Sequence, residues 1–243
     1  MRHHYALAML ILGLGIAVAA QSEDSPKTVW QGVYTEPQAA RGEAEYSTHC
    51  ASCHRDDLSG YNTLLKGQRF MEKYREAPLH LLFDKTKTTM PRNAAGTLSD
   101  QAYVDIVAYL LKMNEFPVGS EELTTELLPR IRVIGKGGPQ PVPDFALVQV
   151  VGCLTPRESD GVWMLTNTTE PVRTGNPQPI ASERQAAEAL PLGAMTFRLL
   201  LSAAYSPALH KGHKVEVRGF LIRRPEGRIN VTSLETVNST CGG

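Results

Sequence analysis

The chain has 243 residues, 42% of them hydrophobic, and carries 25 Lys+Arg against 25 Asp+Glu. That length allows two modest domains. A formal charge of zero gives no sign of the basic excess that tracks nucleic acid or an anionic membrane. The 4 cysteines form two pairs, Cys50 with Cys53 and Cys153 with Cys241, one pair in each half of the chain.

Arg2, His3 and His4 give a short basic start, and the uncharged run Ala6 to Ala20 ends in the small residues Val18-Ala19-Ala20. This pattern predicts a secretory signal peptide over 1–20, cut before Gln21. The 15-residue apolar run is short for a membrane span of about 20 residues, and a retained anchor is the alternative. No later run is long enough to span, so no stable membrane insertion is expected and the mature chain reads as exported to the periplasm. Residues 21–35 read as an N-terminal extension.

Pro37 suits the first turn of a helix that continues from Gln38 to His49, with Gly42, Tyr46 and Cys50 on one face at i, i+4, i+8. A glycine on that face allows close approach of a second helix. The helix runs into Cys50-Ala51-Ser52-Cys53-His54, a Cys-x-x-Cys-His attachment site for a c-type haem. Two thiols three positions apart can add to the two vinyl groups of one porphyrin. The adjacent histidine then sits under the iron as its proximal ligand. A zinc site would need two more ligands at short spacing, and Cys153 and Cys241 are far away. A thioredoxin-like pair would need a preceding strand.

A second helix is predicted from the N-cap Ser99, with Asp100 in its first turn and a stop near Asn114. Tyr103, Ile106, Val107, Leu110 and Leu111 form its apolar stripe at i, i+3, i+4, i+7, i+8.

The run from Pro37 to Gly119 resembles a class I cytochrome c. Gly42 with Tyr46 is similar to that family's glycine–aromatic pair on the first helix, and Val107-Ala108-Tyr109-Leu110 to its aromatic-bearing last helix. Leu65-Lys66-Gly67, Thr89-Met90-Pro91 and the segment from Asn114 to Gly119 resemble cytochromes associated with periplasmic quinoprotein dehydrogenases. The resemblance implies an all-α cytochrome c domain over 36–119 with a loop-rich middle and one covalent haem c. It also implies a sixth iron ligand, usually methionine, on a loop before the last helix. Met90 is the candidate: it lies 36 residues after His54, in a stretch from Thr86 to Thr97 without helical periodicity, and Pro91 stiffens the chain behind it. Met71, 17 residues past His54, and Met113, on the final helix, are the competitors, while His49 and His80 are expected at the surface or the haem edge. Relatives often carry a proline where this chain has Thr63, so the carbonyl that fixes the ring of His54 is left open.

Gly135 to Pro143 is rich in glycine and proline and centres a predicted linker over 120–143. Beyond it, 144–243 reads as five strands: Phe145–Val151, Val162–Asn167, Thr196–Leu201, Lys214–Ile222 and Arg228–Val237, with a short helix over Ser182–Leu190. In the fourth strand Val215, Val217, Gly219 and Leu221 alternate with Glu216, Arg218 and Phe220. The expected fold is α+β in two domains, the second a small all-β barrel of OB type, with a β-sandwich as alternative. Gly212 to Gly219 resembles the fourth strand of bacterial OB-like domains. From Asp144 onward there are 10 Lys+Arg and 9 Asp+Glu, which argues against nucleic acid as a partner. His210 and His213 read as surface residues flanking a turn, with a metal site or extra haem ligand as the alternative. Cys153 and Cys241, near the first strand and the C-terminus of an exported domain, are expected to form a disulfide.

The expected function is a periplasmic electron carrier. It would pass single electrons from a dehydrogenase, of quinoprotein type on the resemblance, to a downstream acceptor of the respiratory chain. No Ser/His/Asp set, paired carboxylates or phosphate loop points to catalysis. The alternatives are a haem-based gas sensor or peroxidase-like enzyme, or a ligand-binding β-module with a redox domain attached.

Overall fold

A computed structural model describes residues 27–60 and 65–241. The expected signal peptide and Thr63 lie outside the described residues. No described helix is long and apolar enough to cross a membrane.

Helix α1 (Glu36–His49) starts where Thr35, in extended backbone, accepts the Gln38 N–H at 3.3 Å, with Pro37 in the first turn. Helix α5 (Asp100–Met113) starts the same way, Ser99 accepting from Ala102 at 3.1 Å. The two helices cross at Gly42, where a Cβ would stand 1.8 Å from the Asp105 carbonyl oxygen. Only glycine permits that approach. Residues Tyr103 to Leu111 of α5 are all buried, so this helix is the centre of the helical half.

The middle is more regular than the loop-rich segment expected. A one-turn helix, α2 (Ala51–His54), follows α1, and two further helices, α3 (Gly67–Tyr74) and α4 (His80–Thr89), fill the gap. α3 buries Phe70 and Tyr74, four residues apart, and α4 buries Leu82 and Phe83. Three threonines, poor helix formers by propensity, are accommodated in α4 by bonding back one turn. Thr86 donates to Leu82, Thr88 to Asp84 and Thr89 to Lys85, at 2.6–2.8 Å. Residues 86–89 are therefore helical rather than loop, and Met90 is the residue that ends α4.

The segments outside 36–119 also belong to this half. Val29, Val33 and Tyr34 are buried in its core, and β1 (Lys27–Thr28) pairs in parallel with β2 (Ile131–Arg132). The stretch predicted as linker differs from expectation up to residue 134. Leu123, Leu128, Ile131 and Val133 are buried in the helical core. The buried Gln38 amide receives the Leu123 N–H at 2.7 Å and donates to the Leu123 carbonyl at 2.8 Å. Gln38 also donates to Asp105, which Arg41 and Gln101 hold from either side. Past Ile134, Gly135 and Gly138 make a turn, and Val142 already packs into the second core.

That second core lies inside a sheet of β3 (Leu147–Pro156), β4 (Trp163–Thr168), β5 (Val172–Arg173), β6 (Met195–Leu200), β7 (Lys214–Ile222) and β8 (Arg228–Asn238). The pairings run β3–β4, β4–β6, β6–β8, β8–β7 and β7–β3, returning to the strand they left; all are antiparallel except the parallel β6–β8. Val148, Val150, Leu154, Leu165, Val217 and Ile229 are among the residues enclosed. Helix α6 (Ala181–Ala189) and the 174–178 segment cover the other face of β7, so Glu216 and Arg218 are buried instead of solvated. Arg218, fully buried, donates to Glu216 at 2.7 Å, to Glu183 at 2.9 Å and to the carbonyls of Asn176 and Gln178. The Cys153–Cys241 disulfide, with Cα atoms 5.5 Å apart, fastens the end of the chain to β3. The halves touch where Arg173 donates to the Arg75 carbonyl at 2.7 Å and the Gln140 N–H to Glu76 at 2.8 Å.

Candidate functional site

Cys50 ends α1 through its N–H to the Tyr46 carbonyl, 2.8 Å, and opens α2 at the same time. Cys50 and Cys53, three apart on one helical turn, are both free thiols, the first half-buried and the second exposed. Burial, then the neighbouring Cys53 and Glu45, push the Cys50 thiol up to about 11. The loop after His54 is fixed from several directions. Gly60 donates to the His54 carbonyl at 2.9 Å, and a Cβ there would stand 2.4 Å from the Cys53 carbonyl oxygen. Tyr46 donates to the Arg55 carbonyl at 2.8 Å and Tyr109 to that of Asp56 at 3.2 Å, their rings 5.1 Å apart. The glycine–aromatic pair on α1 and the aromatic on α5 thus position the Cys-x-x-Cys-His turn as well as packing the helices.

A cavity of about 350 Å³ opens beside this turn, lined by Tyr46, Cys50, His54, Met90, Ile106 and Leu110 among others. Burial holds the His54 imidazole below its ordinary basicity, which favours the neutral form that ligates metals. Its Nδ1 is buried with no partner among the described residues. On the far side in sequence, Met90 is held by its backbone: its N–H donates to Thr86 at 2.9 Å and its carbonyl accepts from the buried Tyr103 hydroxyl at 2.8 Å. The same hydroxyl accepts the Gly96 N–H at 3.0 Å, closing the chain behind Met90.

The competing ligands are elsewhere. Met71 and Met113 line a separate cavity of about 260 Å³, with Trp30 and Phe116. His49 is exposed and lies 3.5 Å from Glu45. His80 is half-buried, its basicity lowered by burial against the opposing pull of Asp84 and Glu183. His210 and His213 both reach the Thr236 hydroxyl, at 2.7 and 3.1 Å. Among the described residues no group of three or more His, Cys, Asp or Glu could hold a metal ion.

Sequence reasoning missed Tyr103 and Gly60 as site residues. Tyr103 reads as one more member of the apolar stripe, and only its hydroxyl in an otherwise aliphatic face hints at a bond. Gly60 carries no signal beyond its short distance from the motif. It also missed Lys73 and Lys85, which line the cavity from α3 and α4, because both helices were unrecognised.

The set of groups fits a c-type haem: two thiols one turn apart, an imidazole whose neutral form burial favours and whose Nδ1 has no partner among the described residues, and a thioether lining the same cavity as Cys50 and His54. Residues 37–110, which contain all four, match the family model described as cytochrome c oxidase, cbb3-type, subunit III. No curated protein and no solved structure matches the chain. The family match supports a c-type cytochrome domain in the helical half, and with it a haem-binding, electron-transferring role.

Proposed function

We propose that the protein is an exported one-electron carrier with a single haem c, joined through Cys50 and Cys53 and ligated by His54 and Met90. When bound, haem c supplies a reversible one-electron iron couple. The observation that carries this reading is the sharing of one cavity by His54, Cys50 and Met90 while Met71 and Met113 line another. Met90 provides a soft, neutral ligand that favours the reduced metal and a high potential. Tyr103 keeps it in place through its carbonyl, so ligand exchange is opposed by the helical core. Ile106 and Leu110 keep water from the wall they form.

The reading places the protein in the periplasm, between a dehydrogenase, of quinoprotein type on the resemblance, and a respiratory acceptor. The β half is assigned the OB type; in its favour stand the five-strand ring of pairings and the parallel β6–β8 contact. Its role in this scheme is docking of the electron donor. Mass spectrometry of the mature protein tests covalent attachment. The chain should be heavier by one haem, retained through acid–acetone extraction, with Cys50 and Cys53 closed to alkylation. Haem that extracts, or two alkylated thiols, overturns the proposal.

A further inference from the structure

A third cavity, about 640 Å³, lies between the two halves. The helical half contributes α3 and α4 to it, including Lys73, Asp84 and Lys85; the β half contributes Phe145, Arg173 and Phe220. Three cations therefore face one acid. None of Lys73, Lys85 and Arg173 has a carboxylate within ion-pair distance among the described residues. Arg173 is the costliest of them. It is half-buried, burial and then Arg75 weigh against its charge while Tyr74 and Glu76 favour it from outside ion-pair distance, and its side chain bonds the neutral Arg75 carbonyl. A cation withdrawn from water with no carboxylate in ion-pair contact is only partly compensated, and an anion in the cavity would complete the compensation.

The apolar side of the cavity is equally unusual. Phe145 is 73% exposed and Phe220 42%, although both are large apolar rings. They sit at one end of the β3–β7 pair, where Leu147 is in register with Phe220. Phe145 also holds a φ of 60°, a region bulky residues rarely adopt, and is locked there by its N–H to the Leu221 carbonyl at 2.7 Å. Strain of this kind persists where the fold over-determines it, often at ligand clamps.

We propose that this interdomain groove is a binding site for a small aromatic carboxylate, its ring held against Phe145 and Phe220 and its charge by Arg173 with Lys73 and Lys85. The site adjoins the candidate haem cavity, with which it shares Lys73, Tyr74, Lys85 and Thr89. A porphyrin's own carboxylates offer the same chemistry to the two lysines, whereas Arg173, Phe145 and Phe220 line the groove and not the haem cavity.

Calorimetric titration of the haem-loaded full chain with 2-naphthoate tests the site. Saturable binding at one site per chain is expected, weakened about tenfold or more by Arg173→Gln and by Phe145→Ala, and lost for the uncharged 2-naphthylmethanol. Phe145 is exposed, so its replacement leaves a folded protein even where loss of Arg173 disturbs the contact between the halves. Absence of saturable binding, or binding that Phe145→Ala leaves unchanged, overturns the proposal. Binding seen in haem-free protein alone also overturns it, since the lysines then serve the porphyrin carboxylates. These readouts do not depend on which residue ligates the iron.

Discussion

The helical half packs its core around a cavity walled by thiol, imidazole and thioether groups, whereas the β half closes its core on itself and ends in a covalent link. In the first, elements distant in sequence meet through side chains: α1 against α5 at Gly42, Gln38 against Leu123, Tyr103 against the Met90 carbonyl. In the second, backbone ladders between strands carry the organisation, and the buried Arg218 is held by Glu216 and Glu183. The helical half brings Cys50, His54 and Met90 to the wall of one cavity, where His54 Nδ1 has no partner among the described residues. The difference separates a region organised around a cavity from one organised around a continuous ladder of strands.

The largest effect should come from cutting the chain where the linker was expected to begin. Ending at Gly119 removes Leu123, Leu128, Ile131 and Val133 from the helical core. At about 2–5 kcal/mol for each large buried side chain, the loss rivals the whole stability of an ordinary domain, about 5–15 kcal/mol. A chain ending at Ile134 should melt cooperatively by circular dichroism, and one ending at Gly119 should show no transition. Equal melts would mean the 120–134 segment is an ornament on the helical half.

On the β side, replacing Cys153 and Cys241 by serine opens a loop whose ends are 88 residues apart. The chain-entropy account puts the cost at about 4–5 kcal/mol. Denaturant unfolding followed by tryptophan fluorescence should show the β transition shifted and the helical one unmoved, which would confirm that the halves are independently stabilised. Smaller again is Gly42→Ala. A Cβ 1.8 Å from the Asp105 carbonyl oxygen forces α1 and α5 apart, at about 3 kcal/mol, and should loosen the helical half without touching the β transition.

Much of this contrast was legible in the residues. The Cys50–His54 motif, the Gly42–Tyr46 face and the α5 stripe reported the helix crossing. The alternation over Lys214–Ile222 and the two distant cysteines reported a β half with a disulfide, as found. What stayed hidden has physical causes. α4 lacks a side-chain cap at its start and is rich in threonine, so neither capping nor propensity marks it. Residues 120–134 have no helical or strand period because they pack as single anchors, Leu123, Leu128, Ile131 and Val133, on a surface made by others. Glu216 and Arg218 look solvated in a strand pattern because the cover that buries them, α6 and the 174–178 segment, comes from elsewhere in the chain. Within the site, spacing pointed to Cys50, Cys53 and His54, and loop position with the resemblance to Met90 ahead of Met71 and Met113; the cavity shared by His54 and Met90 and the separate one of Met71 and Met113 could not be read from the residues.

The most direct test of the account is therefore the ferric visible spectrum of three variants, Met90→Ala, Met71→Ala and Met113→Ala, each in the haem-loaded protein. The sulfur-to-iron charge-transfer band should vanish in Met90→Ala alone, and only that variant should bind CO when reduced. A band that survives in Met90→Ala and disappears in Met71→Ala or Met113→Ala would contradict the placement of the ligands in one cavity with His54.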